Sequence, residues 1–222
     1  MASNGLFYFT AEGARALGAY NPATNQVVWL MGTGQDQTHM LAATKDGKTM
    51  VATNRGSASL SIFQLTRVDL LFAGAWKHTV VPVCRAPEGL DITPDGTQVW
   101  VGCRASNEIA ILDLTRKQMV DSFPTGTQSV ARLKFAFGGK YLLATDPMRG
   151  TLVFIDVAHH QVLKSVPMGR GCEAIFLEPD GQHVLIGVTN EHNVAEVDLQ
   201  TMSVVRRIRT GQGPDEMAWI GK

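Results

Sequence analysis

Five times along this chain a short apolar run ends in a polar turn: Tyr20-Asn21-Pro22, Phe63-Gln64-Leu65, Leu112-Asp113-Leu114, Ile155-Asp156-Val157 and Val197-Asp198-Leu199. A second kind of turn, closed by glycine, precedes the last four at Lys45-Asp46-Gly47, Pro94-Asp95-Gly96, Gly138-Gly139 and Pro179-Asp180-Gly181. Both turns recur roughly every 42 residues, with one longer interval near residues 57–80, and this is the length of a four-stranded propeller blade.

The missing fifth glycine turn falls where the chain begins and ends. The tail Pro214-Asp215-Glu216-Met217-Ala218-Trp219-Ile220 matches a first strand such as Pro87-Glu88-Gly89-Leu90-Asp91-Ile92, and the head Leu6-Phe7-Tyr8-Phe9 matches a second strand such as Val99-Trp100-Val101. The expected fold is therefore all-β: a single five-bladed β-propeller over residues 1–222. One blade is shared by residues 1–38 and 212–222, and the others cover about 39–87, 88–130, 131–172 and 173–211. Pairing of residues 217–220 with 6–9 would close the ring and remove two sheet edges, with Trp219 expected to lock the clasp. The extra residues of the longer repeat, 67–77 with Val68-Asp69-Leu70-Leu71-Phe72, should extend the hairpin between a third and a fourth strand at the rim.

Within one repeat, Leu90-Asp91-Ile92-Thr93 alternates with period two and runs into Asp95-Gly96, the residues that a tight hairpin needs for positive φ. Asp113 and Thr115 can bond turn amides. No segment shows a sustained helical period. With 222 residues, 45% of them apolar, and 22 glycines, the chain has strand and turn material for one all-β unit.

The formal net charge is zero, so little counterion release is on offer. No basic stripe interleaved with aromatics is evident, which argues against nucleic acid as the partner. No apolar run is long enough for a spanning helix, and Met-Ala-Ser-Asn-Gly is not a basic region leading into an apolar one. The three cysteines, Cys84, Cys103 and Cys172, form no CxxC pair and are odd in number, so at least one is free within a monomer; each reads as a small buried side chain.

The units Thr49-Met50-Val51-Ala52-Thr53-Asn54 and Pro94-Asp95-Gly96-Thr97-Gln98-Val99-Trp100-Val101, followed by Ile111-Leu112-Asp113-Leu114, resemble the repeat of the YVTN-type bacterial β-propellers. The resemblance covers essentially the whole chain. It implies the propeller fold and a binding role, in a family whose members are commonly seven-bladed and surface, secreted or periplasmic; neighbouring propeller families include lactonases and a streptogramin lyase. A five-bladed chain without a secretion signal departs from that pattern and fits a natural short form, a mature fragment or an excision of a longer propeller.

Aligned on the glycine turns, the repeats place His39, Glu88, Ala131, Glu173 and Asp215 at one inner-strand position, so these side chains should form a ring near one mouth of the central channel. An imidazole and three carboxylates suit a divalent cation, and crowding should raise at least one carboxylate pKa. Three readings stay open: a hydrated channel with the carboxylates paired to neighbouring Arg132, a bound metal on His39, Glu88, Glu173 and Asp215, or an organic ligand. Loops of the same face add Arg55, Arg104, Arg149 and His192, and the connections between blades add Arg85 and Arg170. Such arginines can grip a carboxylate or phosphate bidentately, or stand as ordinary solvated charges.

Asp46-Gly47-Lys48-Thr49 resembles the end of a phosphate-binding loop, but position 42, where that motif needs glycine, is alanine. GxSxG and HExxH do not occur. The residues therefore favour a non-catalytic binding or scaffold propeller presenting its channel mouth to a small ligand, glycan or protein. The alternative is a metal-assisted lyase or hydrolase at the same mouth, with His39 or a carboxylate as base.

Overall fold

The structure, a computed structural model, describes residues 5–67 and 75–219. The expected five-bladed propeller is what the chain forms. Blade 1 contains β1 (Phe7–Ala11), β2 (Ala16–Asn21) and β3 (Gln26–Gly32), and blade 2 contains β4 (Thr38–Ala43), β5 (Thr49–Asn54), β6 (Ser59–Arg67) and β7 (Ala75–Pro82). Blade 3 is β8 (Pro87–Ile92), β9 (Gln98–Cys103), β10 (Glu108–Asp113) and β11 (Gln118–Pro124). Blade 4 is β12 (Leu133–Ala136), β13 (Tyr141–Asp146), β14 (Thr151–Asp156) and β15 (Gln161–Pro167). Blade 5 is β16 (Cys172–Leu177), β17 (His183–Val188), β18 (Asn193–Asp198) and β19 (Ser203–Arg209). Each sheet is an antiparallel meander in chain order, and the only helical turns among the described residues are three short 3-10 turns.

The turn chemistry read from the repeats is what shapes the hairpins. Gly47, Gly96 and Gly181 adopt φ of 67°, 75° and 66°, in the region closed to most side chains. Asp46 accepts from the Lys48 amide and the Thr44 hydroxyl, and Asp95 accepts from the Thr97 amide and the Thr93 hydroxyl. Asp113, Asp156 and Asp198 cap the amides of Thr115, Ala158 and Thr201.

The core lies between blades. Leu60, Ile62 and Val81 of blade 2 meet Val99, Val101 and Leu112 of blade 3. Trp100 and Phe123 of blade 3 meet Phe135 and Leu142 of blade 4, with the Trp100 ring edge-on to both phenyl rings at 5.6 and 5.5 Å. Leu152 and Phe154 of blade 4 meet Ile186 and Val197 of blade 5. Trp29 and Trp76 pack with Tyr8 between blades 1 and 2.

Second strands also stitch neighbouring blades together. The hydroxyls of Thr10, Thr53 and Thr145 donate to the carbonyls of His39, Glu88 and Glu173 on the next inner strand. At the same register Gly102 and Gly187 stand where an added Cβ would come within 2.7 Å of Val130 and 2.6 Å of the Pro214 carbonyl. The tail from Pro214 thus lies beyond blade 5 where a next inner strand would begin.

Three expectations change or fall outside view. Residues 212–219 carry no ladder pairing among the described residues, and Ile220 lies outside them. Trp219 is 66% exposed, so it does not lock a packed clasp. Cys84 and Cys103 are not separate small core residues: they form a disulfide with Cα atoms 5.7 Å apart, because the link between blades 2 and 3 runs beside the end of β9. Cys172 is the free, buried thiol, and burial pushes its pKa well above the ordinary range. The longer repeat does fall between β6 and β7, a third and a fourth strand, while residues 68–74, including Leu71 and Phe72, lie outside the described residues.

Candidate binding site at the channel mouth

Glu88, the second residue of β8, is the centre of the site. It is 1% exposed, and it is there because Pro87-Glu88-Gly89 brings the inner strands of blades 3 and 4 unusually close. A Cβ at Gly89 would stand 2.6 Å from the Arg132 Cα, so no other residue fits without moving β8. Glycine at this point is the clearest signal that sequence reading passed over; the matching positions of other repeats hold Met40, Arg132, Ala174 and Glu216.

Four cationic or imidazole groups converge on the Glu88 carboxylate. Arg55 Nε stands 2.8 Å from Oε2, while Arg132 Nη1, His39 Nε2 and Arg104 Nη1 stand 3.1, 3.2 and 3.4 Å from Oε1. Arg104 reaches on to Glu173 at 3.3 Å, Arg132 to Glu216 at 3.4 Å, and His39 Nδ1 to Glu12 at 3.4 Å. Side chains from all five blades and the tail therefore form one network around Glu88.

The two central carboxylates move in opposite directions. Burial pushes Glu88 up, but the His39 hydrogen bond and the charges of Arg55, His39 and Arg104 outweigh it and hold its pKa below the ordinary value. Burial pushes Glu173 up, and the charges of Glu88 and Asp215 add to burial against Arg104 and Arg132, so its pKa ends raised. Like-charge crowding thus falls on Glu173, and Glu88 is the carboxylate the arginines claim.

The remaining candidates are used locally. Asp215 is exposed at the tail. Arg85 donates to the Ala105 carbonyl, the Arg170 amide donates to Glu191, and the exposed Arg149 has its amide bonded to Asp146. His192 Nδ1 accepts from the Gly213 amide, tying the tail to a blade 5 loop. Of the loop residues, Arg55 and Arg104 are the ones that reach Glu88.

A metal needs ligand atoms free to converge on one point, and the Glu88 oxygens already face guanidinium and imidazole groups. Among the described residues, the one trio whose ligand atoms lie within 4.8 Å of one another is Glu178, Asp180 and His183, at the β16–β17 hairpin. There Asp180 already caps amides and pairs with His183. At the hairpin end of the inner strands a cavity of about 690 Å³ is lined by Thr44, Asp91, Thr93, Lys134 and Phe135, with Lys134 paired to Asp91 at 3.3 Å.

Residues 2–178 match the YNCE-like beta-propeller family. The chain belongs to that family. The YVTN-type resemblance is consistent with it at the level of fold. No curated protein matches the chain in sequence. A solved structure of Kuenenia stuttgartiensis hydrazine synthase is similar at a TM-score of 0.69 and 18% identity, over 97% of this chain and 87% of that one. A functionally unknown protein from Desulfotomaculum acetoxidans DSM 771 is similar at a TM-score of 0.82 and 13% identity, over 96% of this chain and 68% of that one. At such identities the likeness is one of fold. No helix among the described residues is long and apolar enough to cross a membrane.

Proposed function

We propose that this YNCE-like propeller is a non-catalytic binding protein whose ligand site is the mouth centred on Glu88. The observation that carries the reading is the convergence of Arg55, Arg104 and Arg132 on one buried carboxylate, with the Arg55 and Arg104 side chains still 31% exposed. Buried Glu88 gathers the guanidiniums, and two of the three keep part of their side chains open to solvent; donors held in place in this way are what a specific polar site requires.

A metal-assisted lyase or hydrolase at the same mouth has no observation in its favour, because the carboxylate best placed to hold an ion is the one the arginines neutralise. The Cys84–Cys103 bond supports an oxidising compartment such as a periplasm or the cell exterior. Thiol titration of the denatured, unreduced protein should then find a single thiol.

A panel of organic acids, sugars and nucleotides, screened by thermal shift against the native protein and an Arg55→Gln/Arg104→Gln double variant, tests the site. Stabilising compounds should lose their effect in the variant. Shifts that survive in full place the ligand elsewhere and end this reading.

A further inference from the structure

We infer that Arg132, flanked by Arg55 and Arg104, is the receptor for one carboxylate of a small organic ligand, and that Glu216 holds that place until the ligand arrives. The inference deepens the binding reading and rests on it.

The argument starts from a mismatch. The Arg132 side chain is 8% exposed, yet its outward Nη2 is met by Glu216, whose side chain is 64% exposed and stands 3.4 Å away. A charge-assisted N–H···O bond at its best is about 2.7–2.9 Å. Arg132 Nε, also buried, has no hydrogen-bond partner among the described residues. A guanidinium taken out of water, with one edge on Glu88 and another incompletely satisfied, is a site where a better-placed acceptor gains much.

Glu216 is also easy to move. It lies on residues 212–219, which carry no ladder pairing among the described residues, so its departure breaks no strand hydrogen bonds. Gly213 at the start of that segment is tied to His192, so the tail can swing about a fixed point.

Charge decides the class of ligand. Arg55, Arg104 and Arg132 face two inner carboxylates, Glu88 and Glu173. Asp215 still acts on Glu173 and Glu12 still meets His39, so a ligand in Glu216's place keeps the balance when it brings the one negative charge that Glu216 takes away. A carboxylate supplies that charge in the planar, two-oxygen form that matches a guanidinium fork. A phosphate dianion would add a second charge beside buried Glu88, with little water to screen it.

The test is isothermal titration with succinamate, a monocarboxylate, and with inorganic phosphate, on the native protein, Glu216→Gln and Arg132→Lys. Glu216→Gln should bind succinamate at least about fivefold more tightly than the native protein, because the competitor is gone. Arg132→Lys should bind it about tenfold more weakly or worse, since the fork is lost. Phosphate should bind more weakly than succinamate to every form. Equal affinity for native and Glu216→Gln protein, no heat with Glu216→Gln up to about 10 mM succinamate, or phosphate binding as tight as succinamate would each overturn the inference. Should Arg132→Lys melt early, the substitution on the exposed tail decides alone. If the broader screen finds a different ligand sensitive to Arg55 and Arg104 while succinamate fails, the binding reading stands and this assignment falls.

Discussion

The junction between blades 2 and 3 and the one between blades 5 and 1 are built from the same register positions, and they pack differently. At the first, Val81 on the outer strand is 8% exposed and Val99 on the facing second strand is 0% exposed, within one cluster. Phe123 with Leu142, and Val166 with Val184, repeat that arrangement between blades 3 and 4 and blades 4 and 5, none above 8%. The corresponding residues at the fifth junction are Ile208 and Phe7, and they are 40% and 45% exposed. Apolar identity is kept at all four places, so burial here depends on whether a neighbouring blade lies against the residue. Blade 5 is also polar toward that junction: Glu196, paired with Arg206, stands where blades 1 to 4 bury Ala19, Ile62, Ile111 and Phe154.

Trp100→Ala at the packed junction between blades 3 and 4 should lower unfolding free energy by about 3–5 kcal/mol in urea titration, through lost burial and the cavity left behind. A loss below about 1 kcal/mol would mean that the apolar clusters do not carry the fold.

Next in size is the staple between blades 2 and 3. Cys84 and Cys103 are 19 residues apart, and a loop near this length gives about 3 kcal/mol by restricting the unfolded chain. A Cys84→Ser/Cys103→Ser variant should melt lower by that amount, and hydrogen exchange should rise in β8 and β9 more than in β1 and β2. Uniform acceleration would show that the disulfide does not act locally.

The ring offers a smaller effect with opposite signs at two carboxylates. Because Glu88 titrates below its ordinary value, its contribution is present above about 4.5, the ordinary value, and is lost as pH falls through the lowered one. Glu173 titrates above its ordinary value, so its contribution is present below about 4.5 and is lost as pH rises through the raised one. Stability measured against pH should show a shallower acid-side decline in Glu88→Gln, the lowered aspartates of the turns keeping the rest, and a shallower fall above the ordinary glutamate range in Glu173→Gln. Identical curves for both variants would refute the division of roles.

The smallest change belongs to the open junction. Phe7→Ala should cost less than about 1 kcal/mol, against about 2–5 for Leu142→Ala at the equivalent buried position. Comparable losses at the two sites would show that blades 5 and 1 close on each other in solution.

Much of the fold was legible beforehand, for a local reason. Asp-Gly turns, capping aspartates and period-two alternation act within a few residues, so Asp46-Gly47 and Asp95-Gly96 announce their hairpins whatever surrounds them. The inner-strand positions of His39, Glu88 and Glu173 followed from repeat alignment, and the pairing of Glu88 with Arg132 was one of the readings it left open. Their chemistry did not follow. Counting one imidazole and three carboxylates left a hydrated, arginine-paired channel, a cation and an organic ligand all open, and it took the structure to show that arginine side chains from loops and a neighbouring strand stand against Glu88.

By itself, then, the sequence determined the repeat, the strand order, the turns and the residues that must face inward, because these depend on short-range backbone preference and on a regular period. Only the tertiary structure decided the partners. Cys84 met Cys103, Arg104 reached across to Glu173, Gly89 admitted Arg132, and Phe7 was left half-exposed while its four equivalents were buried. Each outcome depends on distances between blades that are set by summed packing across the ring, and no single repeat contains that information.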